Sequence, residues 1–132
     1  LKLHNDARAA VGVAPLAWSD KLAASAQEWA DQLARSNRFE HRPDNPYGQN
    51  LAGYNPPDGP AAGVGLWLKE KARYRGERMV GGNYQIFGHY TQMIWRKTQR
   101  VGFGAARMPD GMWVLVAEYE PGGNVEGEHP YQ

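Results

Sequence analysis

The chain has 132 residues, no cysteine, and 15 basic against 14 acidic side chains, a formal net charge of +1. That length fits one domain over residues 1–132 that hides roughly two-thirds of its unfolded surface. Without cysteine there are no disulfides, thiolate metal sites or cysteine nucleophile, the balanced charge offers nucleic acid no general field, and no apolar run approaches the roughly 20 residues of a bilayer span.

In chain order, Leu3, Ala7, Ala10 and Val11 recur at helical spacing, with Gly12 suited to the position past the helix end. Pro15-Leu16-Ala17-Trp18 leads into Ser19, a good N-cap, with Asp20 in the first turn. Leu22, Ala26, Trp29, Leu33 and Ala34 then follow at steps of three and four, which predicts an amphipathic helix to about Ser36 with Leu22, Trp29 and Leu33 buried. Gly and Pro cluster in residues 42–60 and 121–127, and both clusters read as ordered loops. Asp58-Gly59-Pro60 is a helix start. The helix it opens has an apolar side at Val64, Trp67, Leu68 and Tyr74. Glu70 lies three residues from Trp67 and four from Tyr74, so it shares that stripe and is expected to be partly enclosed. Residues 89–97 read as another short helix, with His89 at its head.

The last third changes period. Val101, Phe103 and Ala105 alternate with Gly102, Gly104 and Ala106, and Trp113, Leu115 and Ala117 alternate with Val114, Val116 and Glu118. Pro109-Asp110-Gly111 is the turn of a β-hairpin whose second strand is apolar on both faces, as in a sheet covered on both sides. Helices first and a hairpin last make the fold class α+β.

These segments, taken in order, resemble the superfamily of cysteine-rich secretory proteins, antigen 5 and pathogenesis-related proteins, the CAP or SCP domain. The likeness runs through His4-Asn5-Asp6-Ala7-Arg8, Pro15-Leu16-Ala17-Trp18, Tyr47-Gly48-Gln49-Asn50-Leu51-Ala52, Gly88-His89-Tyr90-Thr91-Gln92-Met93-Ile94-Trp95, Val101-Gly102-Phe103-Gly104 and Tyr119-Glu120-Pro121-Gly122-Gly123-Asn124. The resemblance implies a three-layer α-β-α sandwich with a small, mainly antiparallel central sheet and a large cleft lined by two histidines and two acids. Carried over by position, the cleft tetrad is His41, Gln49, Glu70 and His89, with Gln49 where the family has its second acid. Ala117, where many eukaryotic members have cysteine, points to a cysteine-free bacterial-type member, and Glu118 departs from the usual neutral residue. The resemblance also implies a secreted or extracytoplasmic protein. Leu1 in place of Met is expected to follow an upstream segment that has been removed, which puts any signal peptide out of view.

Two neutral imidazoles, His41 and His89, suit zinc or another late first-row divalent ion. Glu70 can be a third ligand or can orient an imidazole from behind. Gln49 brings no charge, so the expected metal site is weak. The same four residues also suit a satisfied hydrogen-bond network with no ion. His4 reads as structural, and His129 as exposed and without a role.

No catalytic residue is assigned. The zinc-protease His-Glu-x-x-His helix and the Gly-x-Ser-x-Gly elbow are both absent. A metal-dependent or Ser-His-Glu hydrolase is the alternative; of Ser19, Ser25 and Ser36, only Ser36 lies near His41 in sequence. The leading function, implied by the resemblance, is binding of a small hydrophobic ligand (sterol, fatty acid or membrane lipid) or of a partner in the cleft. The connection through Tyr47, Leu51, Tyr54, Pro56 and Pro57 is expected either to wall an apolar pocket or simply to cover the core. A third reading is a surface module that meets a protein or cell-wall partner through Lys69, Lys71, Arg73, Arg75, Arg78 and the pair Arg96-Lys97, against the plainer one of a solvated helix face. The expected species is a monomer.

Overall fold

Helix α1 (Lys2–Ala10) is amphipathic as its spacing predicts, but the residues it buries are polar, His4 and Arg8. The computed structural model in which it is seen describes residues 1–55 and 59–131. The roles expected of Pro56, Pro57 and Asp58 lie outside those residues. After α1 come β1 (Ala17–Trp18), α2 (Asp20–Ser36), β2 (Gly48–Tyr54), α3 (Pro60–Leu68), a 3-10 turn (Lys69–Arg73), α4 (Tyr84–Met93), β3 (Arg100–Arg107) and β4 (Trp113–Glu120).

The strands form one sheet in the order β1-β3-β4-β2. β1 runs parallel to β3, while β3–β4 and β4–β2 are antiparallel, so the sheet is mixed and mainly antiparallel. Side chains alternate across β4 and feed two cores. Val114 and Val116 join Ala26, Ala30 and Leu33 of α2 on one face, and Leu115, Ala117 and Tyr119 join Val64, Trp67 and Met93 of α3 and α4 on the other. With helices on both faces, this is the expected α+β fold, a three-layer α-β-α sandwich.

Helix α2 follows the sequence closely. The Ser19 hydroxyl accepts from the Leu22 N–H at 3.1 Å, and the chain leaves the helix through Asn37 in the left-handed region, φ 54°. Gly102 and Gly104 let β3 lie directly against α2, since a Cβ on either would collide with helix backbone at Leu22–Ala23 or Ala26–Gln27. Beyond the short β1, the open edge of β3 is closed by Gln27, whose amide donates to the Ala105 carbonyl (2.8 Å) and accepts from its N–H (3.0 Å). Trp29 is half-buried, not buried as predicted. Its indole N–H donates to the Glu40 carbonyl and the Arg42 guanidinium lies over the ring, 5.5 Å from the centroid.

Three expectations are corrected. Residues 48–54, read as loop, form β2, and Leu51 and Tyr54 take the plainer of their two expected roles, in the core. Two glycines, an asparagine and an alanine make a weak local strand, and pairing with β4 overrides them. The helix expected at its first turn to carry His89 starts at Tyr84, so His89 lies well inside α4. The Asn83 side chain makes no helix cap; it accepts from the Val80 N–H and donates to the Arg78 carbonyl, so the local start signal is missing. Finally, α3 ends at Leu68, and Glu70 belongs to the tighter 3-10 turn.

Arg8 ties the N-terminal helix to the site. Its fully buried guanidinium donates to the carbonyls of Ala14 (2.6 Å), Met93 (3.1 Å), Trp95 (2.8 Å) and Thr98 (2.9 Å). Burial lowers its pKa to about 10, opposed by Tyr119 and reinforced by Arg96, so it remains a cation near neutral pH. It fixes the end of α4 and the turn into β3, and α4 carries His89.

Candidate functional site

Glu70 and His89 form one half of the site. Glu70 Oε2 lies 2.7 Å from His89 Nδ1, and Glu70 Oε1 accepts from the Tyr90 N–H at 3.1 Å. A carboxylate only accepts, so Nδ1 carries the proton and the neutral ring keeps its lone pair on Nε2. The imidazole stacks on Trp67, interplanar angle 8° and centroids 6.1 Å apart, and the Trp67 N–H is anchored on the Leu51 carbonyl. Asn50 donates to the His89 carbonyl (3.0 Å). Asn124 donates to that of Gly88 (2.8 Å) and accepts from the Thr91 hydroxyl (2.6 Å). Ring and helix are both held.

His41 and Gln49 form the other half. Gln49 Oε1 accepts from the Arg42 backbone N–H at 3.1 Å, which identifies that atom as the oxygen. His41 Nδ1 lies 2.9 Å from the same oxygen and must donate to it, again leaving the lone pair on Nε2. Gln49 Nε2 is buried and has no partner among the described residues.

The two halves meet at a cavity of about 290 Å³ whose lining includes His41, Gln49, Asn50, Gln85, His89 and Asn124. Gln49 shares its sheet face with Leu51 and Asn50 with Ala52, so the cavity reaches around β2, the edge strand. Glu70 is not among the lining residues; it stands behind His89. The arrangement is two hydrogen-bonded pairs, not one closed ring of four. Among the described residues, no group of three or more His, Cys, Asp or Glu side chains gathers as for a metal ion. Two imidazoles line the cavity, each held at Nδ1 by an oxygen, Glu70 behind His89 and Gln49 beside His41. Most side chains of the lining are amides and imidazoles, and the Tyr84 ring adds an apolar wall.

The remaining sequence candidates lie elsewhere. Ser25 donates to the buried Glu118 (2.6 Å), Ser19 caps α2, and Ser36 bonds the Leu33 carbonyl. No serine pairs with a histidine among the described residues, and nothing supports the hydrolase alternative. His4 is structural as expected, buried with Nε2 2.6 Å from the Tyr119 hydroxyl. His129 is half-buried, not exposed.

The sequence matches the family model described as the cysteine-rich secretory protein family, CAP, over residues 1–119. The chain belongs to this family. It is 42% identical over 132 residues to pathogenesis-related protein 1A of Nicotiana tabacum, covering 99% of this chain and 78% of that one. With pathogenesis-related protein 1 of Arabidopsis thaliana the identity is 38% over 131 residues, 99% and 80% of the two chains. The crystal structure of NaASP2 with Zn2+ superposes with a TM-score of 0.83 at 25% identity, covering 100% of this chain and 82% of that one. Within this CAP domain, Asn50 and Asn124, which sequence reasoning did not single out, help to build the cleft. Both stood inside the motifs quoted above, each beside a glycine-rich step, and their side-chain targets on α4 appear only in three dimensions.

Proposed function

We propose that this CAP domain works outside the cytoplasm as a binding protein whose cleft holds a late first-row divalent ion, such as zinc, between His41 and His89. The observation that carries the reading is that each imidazole gives its Nδ1 proton to a fixed oxygen while both rings line one cavity, so two Nε2 lone pairs are available there. A bound ion would supply a Lewis-acidic centre. The chain's own contribution is to orient the rings: Glu70 and Trp67 set His89, and Gln49 sets His41. The similarity to a structure containing Zn2+ supports the same reading. The test is calorimetry with zinc on metal-stripped protein beside the His41→Ala/His89→Ala variant. One-to-one binding lost in the variant is expected, and equal binding by both proteins refutes the proposal.

A second reading has its own observation. A small hydrophobic ligand suits a different cavity, about 250 Å³, between α1 and α3, where Leu1, Leu3, Pro60, Val64, Phe103 and Leu115 supply apolar walls and Lys2 stands at the rim. Its size favours a single acyl chain over a sterol. Saturable binding of a fluorescent fatty acid that Ala61→Asp, at an exposed lining position, abolishes is expected. Binding unchanged by that substitution rules the groove out.

A further inference from the structure

The basic residues singled out in the sequence do not share one face. Lys69, Lys71 and Arg73 sit on the 3-10 turn. Arg78 instead meets Arg96 and Lys97 at a separate cavity of about 460 Å³, larger than the imidazole cleft and sharing no lining residue with it. Three segments distant in sequence build its walls, and backbone hydrogen bonds lock them together. The Met79 N–H donates to the Glu128 carbonyl (2.9 Å), the Gly127 N–H to the Met79 carbonyl (2.6 Å), and the Arg96 N–H to the Pro130 carbonyl (2.8 Å). Trp95 and Pro130 are buried beneath it, so the shape exists before any ligand arrives.

The charge is one-sided. Two guanidiniums and an ammonium face a single carboxylate, Glu128, with His129 beside them. Lys97 Nζ is 3.2 Å from Glu128 Oε1, but both side chains are solvent-exposed, and such a pair is weak enough to exchange partners. Among the described residues, no ion pair engages Arg78 or Arg96. The field of Arg96 reaches the buried Arg8, where it opposes protonation. Three cations set against one carboxylate leave an excess of positive charge at this cavity, which calls for an anion.

We propose that this cavity binds the phosphate monoester end of a small organic ligand. Near neutral pH a monoester carries about −1.5 to −2 charges and three strong acceptor oxygens, which matches two guanidinium forks and one ammonium. A carboxylate, with one charge and two oxygens, leaves part of that donor set unused. The volume falls within the roughly 300–1,000 Å³ of small-molecule sites, leaving room for the body of the ligand against Pro130 and Tyr131.

The test follows backbone amide NMR signals of the full chain in 150 mM salt. One arm is titrated with phenyl phosphate, the other with phosphatidylcholine vesicles with and without phosphatidic acid. The proposal expects saturable shifts at Arg96, Lys97, Gly127 and His129 with phenyl phosphate, weakened about tenfold or more by Arg78→Gln/Arg96→Gln. His41→Ala/His89→Ala leaves them unchanged, which separates this site from the imidazole cleft. Binding of phenyl phosphate alone identifies a soluble ester, and added binding to phosphatidic acid vesicles identifies a lipid headgroup. The proposal is overturned by the absence of saturable shifts in both arms, by shifts spread equally over Lys69, Lys71 and Arg73, or by unchanged affinity in the arginine variant.

Discussion

Acidification should unfold this protein through His4. The ring is fully buried among Trp67, Phe103 and Tyr119; Nε2 bonds the Tyr119 hydroxyl, and Nδ1 has no partner among the described residues. The doubly protonated ring would be a buried cation whose Nδ1–H has no acceptor among the described residues, one helical turn from the Arg8 cation. Burial first, then the amino-terminal ammonium and Arg8, bring the pKa down to about 3. The ordinary value is 6.5, so the unfolded chain takes the proton first and acid favours unfolding. No penalty exists above pH 6.5; it grows as pH falls and levels off below 3. Between pH 7 and 4.5 the loss is on the order of 2–3 kcal/mol from this one residue. Urea unfolding followed by tryptophan fluorescence, on the wild type and on His4→Phe, isolates it, because other titrating groups cancel in the difference. The variant loses the bond to Tyr119 and should be about 1 kcal/mol less stable at pH 7, yet more stable than the wild type at pH 4.5. Parallel pH profiles for the two proteins refute the reasoning.

Three further outcomes follow from the geometry. Glu70→Gln should leave the fold intact and weaken zinc binding about 10- to 100-fold, read by calorimetry, because an amide polarises His89 less than a carboxylate does. Gln49→Glu keeps an oxygen for His41 and the Arg42 N–H, removes the orphaned amide nitrogen, and adds a negative charge at the cleft; a zinc affinity about tenfold higher is expected. Gly102→Ala drives a methyl into the α2 backbone at Leu22 and Ala23 and should cost about 3 kcal/mol in urea unfolding. A neutral result there would mean that α2 and β3 do not touch as described.

Local signals made α2 and the β3–β4 hairpin legible, since a Ser19 cap, a three-four apolar stripe and a Pro109-Asp110-Gly111 turn each act within a few residues. β2 was hidden because its partner β4 begins almost sixty residues after β2 ends, and its own composition argues against a strand. The start of α4 was hidden for a related reason: Asn83 spends its side chain on Val80 and Arg78 instead of capping the helix. The four cleft positions came from motif resemblance, but spacing could not reveal that they act as two pairs, or that Glu70 supports His89 from outside the cavity. The stripe argument did bring Glu70 near Trp67, although through a 3-10 turn instead of a continuing helix. The basic stretch divides in space: Lys69, Lys71 and Arg73 lie on the 3-10 turn, while Arg78 lines a cavity with Arg96 and Lys97.

The central claim is that His41 and His89 present their Nε2 atoms to one shared ion. Long-range proton–nitrogen spectra of the imidazoles, recorded during a zinc titration, test it most directly. The account predicts Nδ1-protonated rings at both positions before zinc, then Nε2 signals of His41 and His89 that move together and saturate at one equivalent, with His4 and His129 unmoved. Movement of only one ring, or coordination through Nδ1, would contradict it.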